Sequence, residues 1–270
     1  MLNAGYHAVP PGMIATVVTS LEMLELPILR PEASDPNWRL DRLAPDPTEY
    51  RRLYRAVGED WLWFSRLRLT DAELAAIIGP ADVEVYRLTD DSDGAGLLEL
   101  DFREKDECEL AFFGLSRTLI GGPAGRWLMN RAIERAWSRP IRRFWAHTCT
   151  LDHPSALGFY KRSGFRPFRR QVEIAEDPRL SGLAPMDAAA HVPLLAPQGC
   201  CCCCGVTPAP LRVASRDSCR SRRTMSANDP KRTSRAMSGK SYGSKWNVRT
   251  PSQFRRLLRL RPSPLANGRC

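Results

Sequence analysis

Residues 110–137 read LAFFGLSRTLIGGPAGRWLMNRAIERAW. This order of apolar run, glycine-rich loop and periodic segment restricts the fold more than any other stretch of the chain. The run at 110–115 is continuous and short, the pattern of a strand buried on both faces. Beyond the loop, Leu128, Met129, Ala132, Ile133, Ala136 and Trp137 recur as adjacent positions every four residues, the stripe of a helix that faces a core. Strand, loop and helix therefore form one unit. Where such a helix starts, the first-turn N–H groups have no helical acceptors, and with the positive end of the helix dipole they make a site for phosphate. Glycines between a strand and a helix also read as a tight connection and nothing more, so the rest of the chain has to decide.

The residues around this unit are equally patterned. Residues 14–21 are rich in β-branched side chains and predict a first strand. Residues 47–57 (PTEYRRLYRAV) and 71–78 (DAELAAII) predict two helices, the second with Thr70 as N-cap and Glu73 closing a capping box. The connection between them, GEDWLWFSRLRL, is unusually aromatic. Residues 83–88 and 96–102 predict strands joined by TDDSDGA, whose Asp93-Gly94 pair suits a hairpin turn. A strand at 108–115 follows, then the loop and long helix, a strand at 141–150, a short helix at 153–163 and a last strand at 165–174. A hairpin meander that passes into strand–helix alternation predicts an α/β (α+β) domain over residues 13–195. Its sheet is expected to be mixed and mostly antiparallel, with helices on both faces.

A net charge of +10 would suggest a nucleic-acid partner, but the charge is confined to one end. Residues 199–270 hold sixteen Lys and Arg against two Asp and Glu, so residues 1–198 hold 24 basic and 28 acidic side chains. The body is mildly acidic, and no nucleic-acid partner is expected of it. The basic end is dominated by Arg, Ser and Pro, the texture of a disordered tail. Two readings of it compete: a tether for nucleic acid or membrane, or the translation of a shifted reading frame, which the unbroken run Cys200 to Cys204 favours. Adjacent cysteines lack the spacing of a tetrahedral zinc site, so no metal is expected. Cys108 and Cys149 read as buried thiols in a reducing compartment. The start, MLNAGYHAVPPGM, lacks the charged opening and apolar centre of a signal peptide, and no apolar run reaches about 18 residues. A cytoplasmic protein without a membrane partner is the expectation.

Residues 151–165 read LDHPSALGFYKRSGF. Ala156, Phe159, Tyr160, Gly164 and Phe165 stand at the spacings of an N-x-x-A-x-x-F-Y-x-x-x-G-F pattern. Loop and pattern together, in this order, resemble the GNAT superfamily of acetyl-coenzyme A dependent N-acetyltransferases. In element order the resemblance spans residues 14–174, and its specific part is 109–165. Two departures fall in the loop, where Ile120 replaces the usual Gln or Arg and Pro123, without an N–H, replaces the first glycine. In the second motif His153 stands where the family has Asn, and before Pro154 it also fits a helix cap.

Acyl transfer from a thioester to an amine needs a neutral amine, a stabilised carbonyl oxygen and a proton for the departing thiolate. The resemblance implies that acetyl-coenzyme A is the cosubstrate. It places backbone N–H groups of a splayed strand at Phe113, Gly114 and Leu115 on the acetyl and pantetheine groups. Gly121, Gly122, Ala124, Gly125 and Arg126, with His153, are its implied coenzyme-binding residues. Tyr160 stands where many members keep the acid that protonates coenzyme A. Glu109 stands where some members keep the general base. His147, whose ordinary pKa of about 6.5 needs no tuning, is the alternative base, and packing roles remain open for all three. Trp61, Trp63 and Phe64 either wall an acceptor pocket or fill core. The implied partner is an amine, small molecule or protein, with homodimerisation left open. A second reading is a non-catalytic coenzyme A sensor or scaffold with a degenerate loop.

Overall fold

The computed structural model describes residues 2–32, 37–91 and 93–197; the basic stretch at 199–270 lies outside the described residues. The elements run β1 (Met13–Met23), β2 (Arg39–Arg42), α1 (Pro47–Gly58), α2 (Asp71–Ile78), β3 (Val83–Thr89), β4 (Ala95–Asp101), β5 (Glu107–Leu115), α3 (Ala124–Trp137), β6 (Arg143–Cys149), α4 (Ala156–Arg162) and β7 (Arg166–Glu176). The strands form one seven-stranded sheet in the order β2-β3-β4-β5-β6-β1-β7. Among the described residues only β5 and β6 run parallel; every other neighbouring pair is antiparallel.

Strand periodicity sorts the side chains onto two faces. Leu98, Leu100, Leu110 and Phe144 point to one face, where they bury the stripe Leu128, Met129, Ala132 and Ile133 of α3 together with Tyr160 and Phe165. Leu97, Val83 and Val85 point to the other, against Tyr50, Leu53, Tyr54 and Val57 of α1 and Leu74 and Ile78 of α2. A smaller cluster joins Ile14, Leu62 and Leu151 to Ala188 and Ala189. Local chemistry starts the helices. Asp46 accepts from the Thr48 N–H at 2.8 Å ahead of α1. The Thr70–Glu73 capping box opens α2, with the Glu73 carboxylate 2.8 Å from the Thr70 N–H; such a cap contributes about 1 kcal/mol.

Besides shifts of a few residues at strand ends, three features differ from the sequence reading. β2 was not expected, because RLDR has no apolar alternation; its extended form comes from pairing with β3, Arg39↔Thr89 to Arg42↔Tyr86. α4 begins at Ala156, since His153 and Ser155 form a turn ahead of it. β5 is not buried along its whole length: Cys108, Glu109, Leu110 and Leu115 are buried, while Ala111, Phe112, Phe113 and Gly114 are half-exposed. The reason is topological. The β5–β6 ladder stops at Leu110↔Ala146, and the β4–β5 register slips between Glu99 and Leu100, leaving Ala111 as an extra residue. Beyond this bulge β5 stays with β4 while β6 stays with β1, so the sheet opens into a wedge. No helix among the described residues is long and apolar enough to cross a membrane.

Candidate active site

The wedge is bordered on one side by the glycine loop. After a 3-10 turn at Arg117–Leu119, Gly121 takes φ +86°, a left-handed conformation that favours glycine. Pro123 precedes α3 as its N-cap, with φ −74° and no side-chain cap. The first helical bond runs from the Trp127 N–H to the Pro123 carbonyl at 3.1 Å, so the N–H groups of Ala124, Gly125 and Arg126 have no helical acceptor. Gly125 is a different case from Gly121. A Cβ there would lie 3.6 Å from Leu115 Cδ1 and 3.7 Å from Phe159 Cε2, ordinary contacts. Neither backbone conformation nor internal packing requires a glycine at 125, although glycine weakens a helix by roughly 0.5–1 kcal/mol relative to alanine. The missing side chain leaves these amides approachable by an external group.

Arg126 gives the same indication. Its Nε is buried without an acceptor, and burial, with the nearby charges of Arg30 and Arg162, pulls its pKa below the usual guanidinium value. Cations gathered beside free amides at a helix N-terminus fit a phosphate-bearing group. The residues present therefore fit the pyrophosphate of coenzyme A, with one amide fewer because of Pro123.

At the closed end of the wedge the structure brings together the two candidate bases. Parallel pairing sets Glu109 beside Trp145, which puts His147, two residues on, on the same face. His147 Nδ1 lies 3.9 Å from Glu109 Oε1, an oxygen that is buried without a hydrogen bond. Burial, reinforced by Asp101 and Glu99 and opposed by Arg66 and Arg103, pushes the Glu109 carboxyl up to about 8. Burial pulls His147 below 6.5, opposed by Asp152 and Glu173. Near neutral pH both groups are therefore uncharged.

Beneath this pair lies a network that the sequence reading missed. Glu99 is fully buried and accepts from the Tyr50 hydroxyl and from Arg66 Nη2, each at 2.5 Å. The Arg66 guanidinium also stands 5.0 Å from the Phe112 ring centre. Asp152, immediately beyond β6, is the second omission. Its Oδ2 accepts from Thr148 Oγ1 and the Cys149 N–H, both at 2.8 Å, and its Oδ1 accepts from Trp63 Nε1 at 3.1 Å. Glu99 had a readable signal, since it shares the phase of Leu97 on β4. Asp152 had none, because its partner Trp63 is remote in the chain.

On the opposite face Tyr160 is buried among aromatic rings, with Phe165 at 5.7 Å, Phe159 at 6.0 Å and Phe113 at 6.3 Å between centres. Burial and the charge of Asp152 hold its phenol far above the usual value, so it stays protonated. Phe113 stacks on Phe159 at 5.7 Å, and Leu115 approaches Gly125. Gly114 has a packing reason: a Cβ there would lie 2.5 Å from Val57 Cγ1 and 2.9 Å from Trp63 Cη2. The aromatic connection divides. Trp63 packs on Tyr54 and Phe112, Phe64 joins the small cluster under Arg68, and Trp61 meets the ring of His153 at 5.2 Å. His153 Nδ1 accepts from the Ser155 N–H at 3.1 Å, the role of a turn cap. Among the described residues no group of three or more His, Cys, Asp and Glu is arranged to hold a metal ion.

Residues 45–165 match the model of the acetyltransferase (GNAT) family. Among solved structures the chain is similar to a protein from Novosphingobium aromaticivorans placed in the GNAT family, with 18% identity over 62% of this chain and 67% of that one and a TM-score of 0.41. A GCN5-related N-acetyltransferase from Kribbella flavida shows 14% identity over 63% of each chain, with a TM-score of 0.40. Another, from Sphaerobacter thermophilus, shows 13% identity over 63% of this chain and 53% of that one, with a TM-score of 0.43. The chain thus spans between about half and two thirds of the length of these structures. No curated protein matches it. The family match covers α1 through α4, including the wedge, the glycine loop and α3, so this part of the chain is similar to the acetyltransferase (GNAT) family.

Proposed function

We propose that this domain transfers an acetyl group from acetyl-coenzyme A to a primary amine, directly and in a ternary complex. The observation that carries the reading is the wedge itself. One border offers unpaired helix-start amides and the half-exposed Arg126, whose Nε has no acceptor, to phosphate, and its closed end holds a carboxyl raised to about 8 beside a histidine. Acetyl-coenzyme A, when bound, supplies an acetyl thioester whose carbonyl is open to attack by an amine.

Each step then has a residue. The amides of Gly121, Gly122, Ala124, Gly125 and Arg126, with the Arg126 guanidinium, hold the pyrophosphate. The half-exposed strand at Phe113, Gly114 and Leu115 supports the acyl arm where β5 has left β6. The amine enters neutral; Glu109, once ionised, takes the proton that its nitrogen sheds as it attacks the thioester, and His147 beside it gives that proton a path outward. Tyr160, held protonated, donates to the leaving thiolate. Trp63, fixed by Asp152, forms the wall on the acceptor side.

Pro123 and Ile120 favour a second reading, a coenzyme sensor without turnover, because the loop lacks one amide and the usual polar side chain. Calorimetry with acetyl-coenzyme A and thiol release over a panel of amines separate the two. The enzyme binds and releases thiol with at least one amine. Binding without release with any amine selects the sensor, and absence of binding at millimolar ligand rejects both.

A further inference from the structure

Glu109 has a second carboxylate against it at the closed end of the wedge. The antiparallel register sets Asp101 of β4 directly opposite Glu109 of β5, and partners in such a ladder point to the same face of the sheet. Both are buried, Asp101 at 6% and Glu109 at 5% exposure. Like charges directly opposite each other and out of water are unfavourable, so the pair holds one negative charge more readily than two. Hydrogen bonding decides which member carries it. Both oxygens of Asp101 accept from Arg103: Oδ1 from its N–H at 3.0 Å and its Nε at 2.9 Å, Oδ2 from Nε at 3.0 Å and from Nη2. Acceptance at both oxygens suits an ionised carboxylate. Glu109 Oε1 has no hydrogen bond, which suits the member that keeps its proton.

The other charged groups that face Glu109 have partners of their own. Glu99, on the strand that carries Asp101, accepts from Tyr50 of α1 and from Arg66 of the aromatic connection. Glu107, on the strand of Glu109 itself, meets Arg143 of β6 at 3.6 Å. His147 of β6, at 3.9 Å, is uncharged near neutral pH. After burial itself, Asp101 weighs most among the influences on Glu109. Its partner Arg103 stands on the turn between β4 and β5 with a side chain 30% exposed, so this cation can be changed without opening the core.

Taking Glu109 as the base, as proposed above, we infer that Asp101, clamped by Arg103, is its positioning residue: the pair sets how firmly Glu109 holds its proton. The Glu109 carboxyl can be titrated directly, by carboxyl-carbon NMR on the folded full chain with isotope-labelled glutamate, its resonance assigned by its loss in Glu109→Gln. Asp101→Asn removes the opposing charge and leaves the Arg103 cation beside Glu109, so the midpoint is expected to fall by about one unit. Arg103→Gln removes the cation and leaves Asp101 opposite, so the midpoint is expected to rise by about half a unit. Structural damage would move both variants the same way, toward the ordinary carboxyl value. If Asp101→Asn does not fold, Arg103→Gln carries the test alone. Midpoints within about 0.2 unit of the parent, or displaced in the same direction in both variants, would overturn the inference. The pH profile of kcat/KM for an accepted amine, taken on the same variants, is expected to move with the NMR midpoints. A profile that stays in place while those midpoints shift would keep the coupling between Asp101 and Glu109 and overturn Glu109 as the base.

Discussion

Glu109 shows how a residue can be chemically prepared at a cost to the fold. In the unfolded chain its carboxyl ionises near 4.5, and in the native state at about 8. Between those values only the unfolded form gives up its proton, so native stability falls as pH rises from 4.5 to 8 and the loss is complete above 8. Glu109→Gln removes this dependence. Denaturation midpoints should therefore show the variant gaining on the parent through that window, and no such gain below pH 4.5. Glu99 is also buried, but with two close hydrogen-bond partners. Glu99→Ala strands the Arg66 guanidinium and should cost about 3–5 kcal/mol in urea denaturation; a loss under about 1 kcal/mol would mean that Arg66 finds water instead. The sequence offered Glu109 and His147 as alternatives. Their contact depends on a parallel register between strands separated by α3, which no local pattern encodes. The Tyr50–Glu99–Arg66 network joins three separate segments and was unreadable for the same reason.

At the level of elements, what was legible was local. The α2 helix was readable from its capping box and the β3–β4 hairpin from its turn, because both depend on residues within a few positions of each other. β2 was not, because its neighbour imposes it. The burial of β5 was overstated because an apolar run carries no sign of where the next strand departs. The loop before α3 yields its own prediction. If the loop holds phosphate through its amides as proposed, Pro123→Gly, which restores an N–H, should tighten acetyl-coenzyme A binding by about three- to thirty-fold in calorimetry. Gly125→Val should weaken binding by at least about tenfold. Its thermal midpoint should remain close to that of the parent, since a Cβ there meets only ordinary contacts with Leu115 and Phe159. Equal affinity for Gly125→Val and the parent would reduce the loop to a turn.

Across the whole molecule, the sheet gives the two halves of the proposed reaction separate supports. α3 and α4 bring the phosphate loop and Tyr160 to one face, and α1 with its aromatic connection brings Trp63 and Arg66 to the other. The split between β5 and β6 is where these faces communicate, with Glu109 and His147 at its closed end. Only the strand–loop–helix unit and the motif after β6 made this arrangement readable in the sequence; the wedge itself arises from the Ala111 bulge and the end of a ladder. The most direct measurement is kcat/KM for an accepted amine, parent against Glu109→Gln, from about pH 6 to about pH 10, taken as a ratio so that titration of the amine cancels. If Glu109 is the base at the closed end of the wedge, the ratio rises with pH to a plateau, with a midpoint about 8. A ratio that stays near unity at every pH would contradict this.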